Sequence, residues 1–411
     1  MFNPTTPFRI AFRERNLRLL LTGLAASQAG DWLYNLALLA FVYDRTHSSM
    51  WVGATTAARI LPEVAFGPIA GVLADRVDRR AVMLGADFAR ALAMALLAGV
   101  VIVNAPVVLA PVLAALSTAA GSAYPQCVVA VLPGLATDEQ LPAANAARVS
   151  VMSICIVAGP LFGAGLLLLG SPAIAFALNG LTFLAGAAVV AALPRRALAV
   201  APRDDSAERP GLFLELRVGW LALRDYRDAI PVVGANLIAS VVYGALTVVF
   251  VILGHRLGLG AAGYGYLLAG MGAGGLLAAG LAGGGAASDR PRQVLGLAVV
   301  AVGVPLPLLA FAGWLPAALL LAGIFGAGSI ITEVVGDTCL QRSLDAGVFA
   351  RAYGLVVPLC VGGIAVGALL APVMVSLFGL SGALSLIGSA VVAYGLVLGR
   401  APRPALAPAT R

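Results

Sequence analysis

Long uncharged, apolar stretches dominate the chain. They run Ala91–Thr137, Val149–Pro194, Ala229–His255, Leu257–Ser288, Gln293–Thr332 and Ala352–Gly399. A membrane-spanning helix needs about 20 such residues. Four of these stretches hold 40 or more and must therefore turn back once. Breakers sit where the turns belong: Asn104-Ala105-Pro106, Gly170-Ser171-Pro172, Gly313-Trp314-Leu315-Pro316 and Phe378-Gly379-Leu380-Ser381-Gly382. With two further spans before Asp75, the pattern predicts twelve helices. They lie near 17–43, 51–74, 81–103, 107–131, 149–169, 173–193, 229–254, 263–286, 294–312, 316–337, 354–377 and 381–399. Continuous apolar runs, in place of alternation, exclude the strands of a membrane β-barrel. The expected fold class is all-α and polytopic.

The longest hydrophilic segment, Pro194–Asp228, divides the spans into two sets of six. The organisation read from it is an N-terminal bundle over 1–193, a cytoplasmic central loop over 194–228, and a C-terminal bundle with a short tail over 229–411. The halves echo each other: Asp75-Arg76 follows span 2 as Asp289-Arg290 follows span 8, and Gly159-Pro160 corresponds to Gly362-Gly363. Repeated halves around a midplane site are the usual build of secondary transporters. The 49 glycines, with runs such as Gly270-Met271-Gly272-Ala273-Gly274-Gly275, favour close helix–helix approach.

Charge sharpens the picture. Only 11% of residues are charged against 61% hydrophobic, too little charge to clothe a soluble protein of 411 residues. All 26 basic residues are arginine. The lack of lysine excludes Schiff-base chemistry and a P-loop, so ATP does not drive this protein directly. With the N-terminus placed inside, 22 of the 26 arginines fall on the cytoplasmic side, which puts both termini there and the chain in the inner (plasma) membrane. The net charge of +7 is thus a topology and lipid-headgroup signal and no clustered basic face for nucleic acid. Two histidines and four scattered cysteines (Cys127, Cys155, Cys339 and Cys360) predict no metal site or cofactor.

The segment Gly71-Val72-Leu73-Ala74-Asp75-Arg76-Val77-Asp78-Arg79-Arg80 resembles the loop between helices 2 and 3 of the major facilitator superfamily, with Asp78 where the broad pattern has glycine. Gly30-Asp31-Trp32-Leu33, Arg59-Ile60-Leu61-Pro62, Asp87-Phe88-Ala89-Arg90, Leu141-Pro142-Ala143-Ala144-Asn145-Ala146 and Asn179-Gly180-Leu181-Thr182-Phe183 are similar to its siderophore- and drug-exporter-like branch. The resemblance implies two pseudo-symmetric six-helix bundles that rock about a central site. It also implies a conformational latch at Gly71, Asp75, Arg76, Arg79 and Arg80. A carboxylate there is favoured by a helix N-terminus, and the arginines suit anionic headgroups. Gly159, Pro160 and Gly163 match part of the family's antiporter motif, which goes with export; Cys155 and Ala164 depart from it.

Charges within the spans are expensive and point to function. Asp31 lies about 18 Å from the outer end of span 1 at 1.5 Å per residue, and Glu63 is at a similar depth in span 2. Arg59 precedes Glu63 by four residues, so the pair shares a helix face. Asp31, Arg59 and Glu63 are therefore expected to meet near mid-membrane, with one uncompensated carboxylate as the candidate carrier of a coupling proton. Asp87 and Arg90, three residues apart, read as a structural pair.

Polar stripes at helical period mark a pathway: Gln28, Asp31 and Asn35 in span 1, Asn236, Ser240, Tyr243 and Thr247 in span 7, and Ser329, Thr332 and Glu333 in span 10. Tyr124 joins from span 4. The resemblance places these spans around the central cavity. Its sparse fixed charge favours an apolar or amphipathic small molecule as substrate. The expectation is a secondary transporter, monomeric among membrane lipids, that exports such compounds against protons; import by the same fold is the alternative. A membrane-embedded lipid or isoprenoid enzyme would need clustered acids or histidines, and Asp204-Asp205 reads as solvated linker.

Overall fold

The computed structural model of the chain describes residues 14–137, 140–169, 171–198, 229–286, 290–343 and 346–400. Every regular element among them is an α-helix: α1 (Arg15–Thr46), α2 (Ser49–Arg76), α3 (Arg79–Ile102), α4 (Leu109–Gly121), α5 (Tyr124–Leu135), α6 (Leu141–Leu169), α7 (Pro172–Ala192), α8 (Arg195–Leu198), α9 (Ala229–Arg256), α10 (Gly260–Ala286), α11 (Pro291–Gly303), α12 (Pro305–Leu309), α13 (Leu315–Ser343) and α14 (Ala346–Arg400). Most of the expected central loop, Asp204-Asp205 included, lies outside the described residues, as does Asp289.

The elements are consistent with the twelve predicted spans. Eight helical stretches among the described residues are long and apolar enough to cross a membrane. One of them, within α14, breaks at Gly379, where φ 68° and ψ 169° take the chain into a region open essentially to glycine. That break separates predicted spans 11 and 12. The long helices α1, α2 and α10 supply the rest, with 32, 28 and 27 residues. Span 4 is α4 followed by α5: Pro125, in the first turn of α5, has no N–H to bond the carbonyl of Gly121, where α4 ends. Pro305 divides span 9 into α11 and α12.

The helix ends have local causes. Asp78 caps α3 by accepting the Arg80 backbone N–H, and Ser171 caps α7 by accepting that of Ala173. Within the spans, the Thr55, Thr56 and Thr332 hydroxyls donate to carbonyls one turn back, so these hydroxyl protons do not face hydrocarbon unsatisfied.

The chain forms two compact units: Met1–Glu208 with Thr247–Ala269, and Arg209–Leu246 with Gly270–Arg411. In the first, α1 packs against α6 and α7, α3 against α7, and both α2 and α3 against α4. One buried cluster in it gathers Tyr34, Leu38, Phe41, Met94, Leu97, Phe176 and Phe183. In the second, α11 packs against α13 and α14. There α10 and α13 touch backbone to backbone: a Cβ at Gly274 would overlap the Gly323 carbonyl. Large apolar side chains point outward, Leu277 at 80% and Phe162 at 75% exposure, which only a lipid surround makes favourable.

Candidate functional site

The first unit holds a polar cluster inside its helix bundle. Asp31 on α1 accepts both its hydrogen bonds from Nη2 of Arg90 on α3, at 2.7 and 2.8 Å. The Arg90 guanidinium also lies 3.9 Å above the Phe183 ring of α7, where the ring's negative face attracts the cation. Gly121, the last residue of α4, makes the crossing possible: a Cβ there would stand 3.0 Å from Cδ and Nε of Arg90.

This corrects two expectations. Arg90 is bound to Asp31, 59 residues away, and not to its own helix neighbour Asp87. Arg59 and Glu63 form no ion pair with each other, and Nε of Arg59 is buried without a partner. Their spacing permits contact, but a cation four residues before an acid is the less favourable order on a helix. Asp31 thus pairs with Arg90 and not with Arg59, although Asp31, Arg59 and Arg90 all act on Tyr34; Asp87 lies behind Arg90 on α3.

Asp87 is the most enclosed of these charges, at 1% exposure. The Tyr124 hydroxyl of α5 lies near its carboxyl. Its Oδ2 has no partner and faces the space that a Cβ at Gly186 on α7 would enter, 3.2 Å away. Sequence spacing missed this arrangement because α1, α3 and α7 are brought together only by packing. The available signal was that Asp31 and Asp87-Phe88-Ala89-Arg90 both lie in segments carrying the family resemblance.

The other singled-out residues fall as follows. Gln28 is half-buried, and Asn35 is buried with its Oδ1 unpartnered. Gly159 and Gly163 on α6 pack on α1: a Cβ at Gly159 would lie 2.5 Å from Cβ of Trp32, and one at Gly163 3.5 Å from Cα of Leu33. Pro160 lies inside α6, which continues through it. Gly71, Asp75 and Arg76 fall in α2 with side chains outside the description. Arg79 donates to the Ala130 carbonyl at 3.2 Å, and Arg80 to the Ala191 carbonyl at 2.6 Å. Arg80 thus bonds the C-terminal end of α7, where free carbonyls and the helix dipole favour a cation.

In the second unit, Asn236 on α9 donates to Asp337 on α13 at 3.5 Å, and Tyr353 donates to the other oxygen of Asp337 at 2.9 Å. Ser240 lies beside Cys360, while Glu333 is exposed. Tyr243 and Thr247 each have a bonded partner; Thr247 belongs to the first unit. In the first unit, a pair the sequence reading did not single out joins His255 on α9 to Asp44 on α1 at 2.9 Å, with the Tyr43 ring tilted at 52° and centred 4.5 Å from the imidazole. An apolar groove of 330 Å³ between α2 and α4, lined by Pro62, Phe66, Pro111 and Leu116 among others, shares no residue with these polar clusters. The described residues include no group of three or more histidine, cysteine or acidic side chains able to hold a metal.

Comparison with known proteins follows the same lines. The chain is 29% identical over 139 residues to "Macrolide efflux protein A" of Streptococcus pyogenes, covering 34% of each. It is 31% identical over 173 residues to the "Putative bacilysin exporter BacE" of Bacillus subtilis (strain 168), covering 42% of each. A third match, the "Uncharacterized MFS-type transporter YfiS" of Bacillus subtilis (strain 168), is 35% identical over 80 residues and covers 19% of each. The matched stretches therefore span from a fifth to about two fifths of these relatives. Among solved structures, the fold is similar to the nucleoside transporter NupG, at a TM-score of 0.73 and 13% identity, over 93% of this chain and 98% of that one. It is similar also to a point mutant of the peptide transporter POT, at 0.69 and 14%, over 94% of each. Both likenesses are of fold. The family profile described as Major Facilitator Superfamily matches residues 20–368. The long apolar helices and this match agree: the chain belongs to the Major Facilitator Superfamily.

Proposed function

We propose that this transporter exports small amphipathic compounds in exchange for protons, by alternating access in the plasma membrane with both termini in the cytoplasm. The observation that carries the reading is the charge set of α1 and α3. Two carboxylates, Asp31 and Asp87, share the neighbourhood of one guanidinium, Arg90. Such a set in an apolar bundle is costly unless its charge is used, and a surplus carboxyl can bind and release a proton. Export is supported by the relatives named for macrolide efflux and bacilysin export. Gly159 and Gly163, packed on α1 beside Asp31, are where the antiporter-like motif would couple helix movement to the charge set.

In this reading the end of α2, with Gly71, Asp75 and Arg76, is the latch between conformations, and Arg79 and Arg80 at the start of α3 tie it to α5 and α7. Gln28, Asn35, Tyr124, Asn236, Ser240, Tyr243, Thr247 and Glu333 are the proposed cavity residues.

The test is transport in everted membrane vesicles, with erythromycin, a macrolide carrying a basic amine, as the probe. Acidifying the lumen is expected to drive accumulation, which a protonophore abolishes. Accumulation only in right-side-out vesicles would make the protein an importer. Accumulation indifferent to the proton gradient would remove antiport.

A further inference from the structure

Within the first unit, Asp31, Arg90 and Asp87 form a graded series. The Asp31 side chain is 29% exposed and that of Arg90 15%, while Asp87 is 1% exposed. Arg90 is fully engaged toward Asp31 through Nη2, and its own Nε is buried without a partner. The groups facing Asp87 are Tyr124 from α5, Arg90 from its own helix and, beyond Arg90, Asp31 from α1; α7 presents Gly186 to it. An ionised carboxylate there would leave Oδ2 uncompensated in a water-poor bundle, which costs far more than leaving a neutral carboxyl so. Of these three charges only Asp31 and Arg90 are paired, and a proton on Asp87 neutralises the third; Arg59 of α2, which acts on Tyr34 together with Asp31 and Arg90, forms no ion pair among the described residues.

Arg90 has a second partner within reach. Asp87 lies three residues before it on the same helix, where side chains are neighbours. One guanidinium thus stands near two carboxylates and bonds Asp31.

We propose that Asp87 is the site of the coupling proton, and that Arg90 exchanges between Asp31 and Asp87 so that Asp31 is open to a cationic amphipathic substrate only when Asp87 has lost its proton. With the proton on Asp87, that residue is neutral and Arg90 closes on Asp31, as observed. When the Asp87 proton leaves to water, the new carboxylate draws Arg90 back along α3. Asp31 is then left as a free, partly accessible carboxylate, and the protonated amine of an amphipathic substrate takes the guanidinium's place. Proton and substrate exclude each other through one arginine, which is the requirement for obligatory exchange. This deepens the antiport reading by naming the substrate class, a lipophilic amine, and the carboxyl that titrates.

The test is infrared difference spectroscopy of the purified protein in liposomes, following the C=O stretch of protonated carboxyl groups, with size-exclusion and thermal unfolding as folding controls. At neutral pH the wild type is expected to show a band that Asp87→Asn lacks. Asp31→Asn frees Arg90 for Asp87, so it should also lose the band at neutral pH but recover it in acid. The double variant Asp31→Asn/Arg90→Gln leaves Asp87 with no cation and should regain the band at neutral pH. A band that persists in Asp87→Asn overturns the assignment of the proton. A band unchanged in Asp31→Asn, or still missing in the double variant, overturns the exchange of Arg90. None of these readings depends on transport. Vesicle accumulation that ignores the proton gradient would therefore reject antiport while leaving the spectroscopic result to stand or fall separately.

Discussion

Gly121 is the place to test whether the path of Arg90 matters. In Gly121→Ala the new methyl would sit 3.0 Å from both Cδ and Nε of Arg90, several tenths of an ångström inside ordinary contact. A long arginine usually swings away at little cost. Here its far end is fixed by two hydrogen bonds to Asp31 and by the Phe183 ring. Two effects oppose each other. Alanine in place of glycine favours a helix by about 0.8–1 kcal/mol, an upper figure because Gly121 is the terminal residue of α4. Displacing Arg90 forfeits a charge-assisted bond worth about 1.5–3 kcal/mol. The displacement wins, for a net loss of roughly 0.5–2 kcal/mol by the same figures. Thermal unfolding in detergent should fall accordingly, and proton-driven accumulation of the macrolide probe should fall with it. The decisive control is the same substitution in Asp31→Asn, where Arg90 is no longer held from that side. There the penalty should largely vanish, giving a coupling energy in the double-mutant cycle. Equal effects of Gly121→Ala in both backgrounds, or a more stable single variant with full transport, would refute the reasoning.

Three further outcomes are expected. Gly379→Ala meets no steric obstacle, yet it places a side chain at φ 68°, ψ 169°; the strain of about 1–3 kcal/mol should lower the thermal midpoint in detergent. Arg80→Ala removes the 2.6 Å bond to the Ala191 carbonyl, a loss of about 1.5–3 kcal/mol for a charged donor before discounting for its exposure; Arg80→Lys should recover part of it in the same assay. A single cysteine placed at Thr46 or Leu257 should react in intact cells with a membrane-impermeant maleimide, and one at Arg195 only after permeabilisation; the reverse pattern would invert the topology.

Much of the architecture was legible in one dimension because lipid imposes one-dimensional rules. Every backbone group in hydrocarbon must bond within its own helix, so an apolar run of sufficient length is a span. Local chemistry then marks some of its ends: Ser171 lies in the expected turn before α7 and Gly379 in the one that divides α14, while the Asp78 cap and the break at Pro305 emerged only in the structure. The candidate site was legible in part. Asp31 stood out as a charge in an apolar helix, and Tyr124 as a polar residue in another. The expected partnership of Arg59 with Glu63, and of Asp87 with Arg90, rested on spacing along one helix. Spacing states which side chains can meet; it does not rank them against partners from other helices. His255 and Asp44, 211 residues apart, could not have been joined by any such rule.

The sequence by itself determined that the chain spans a membrane, where its helices begin and end, and which few charges lie among them, since hydrophobicity, proline, glycine and arginine act locally or through the bilayer. Only the tertiary structure decided which carboxylate Arg90 holds and which it leaves buried behind it. That choice depends on α1, α3, α4 and α7 meeting side by side, with Gly121 giving the arginine its path and Phe183 its support. A guanidinium between two carboxylates binds the one that geometry and desolvation favour, and both are properties of packing.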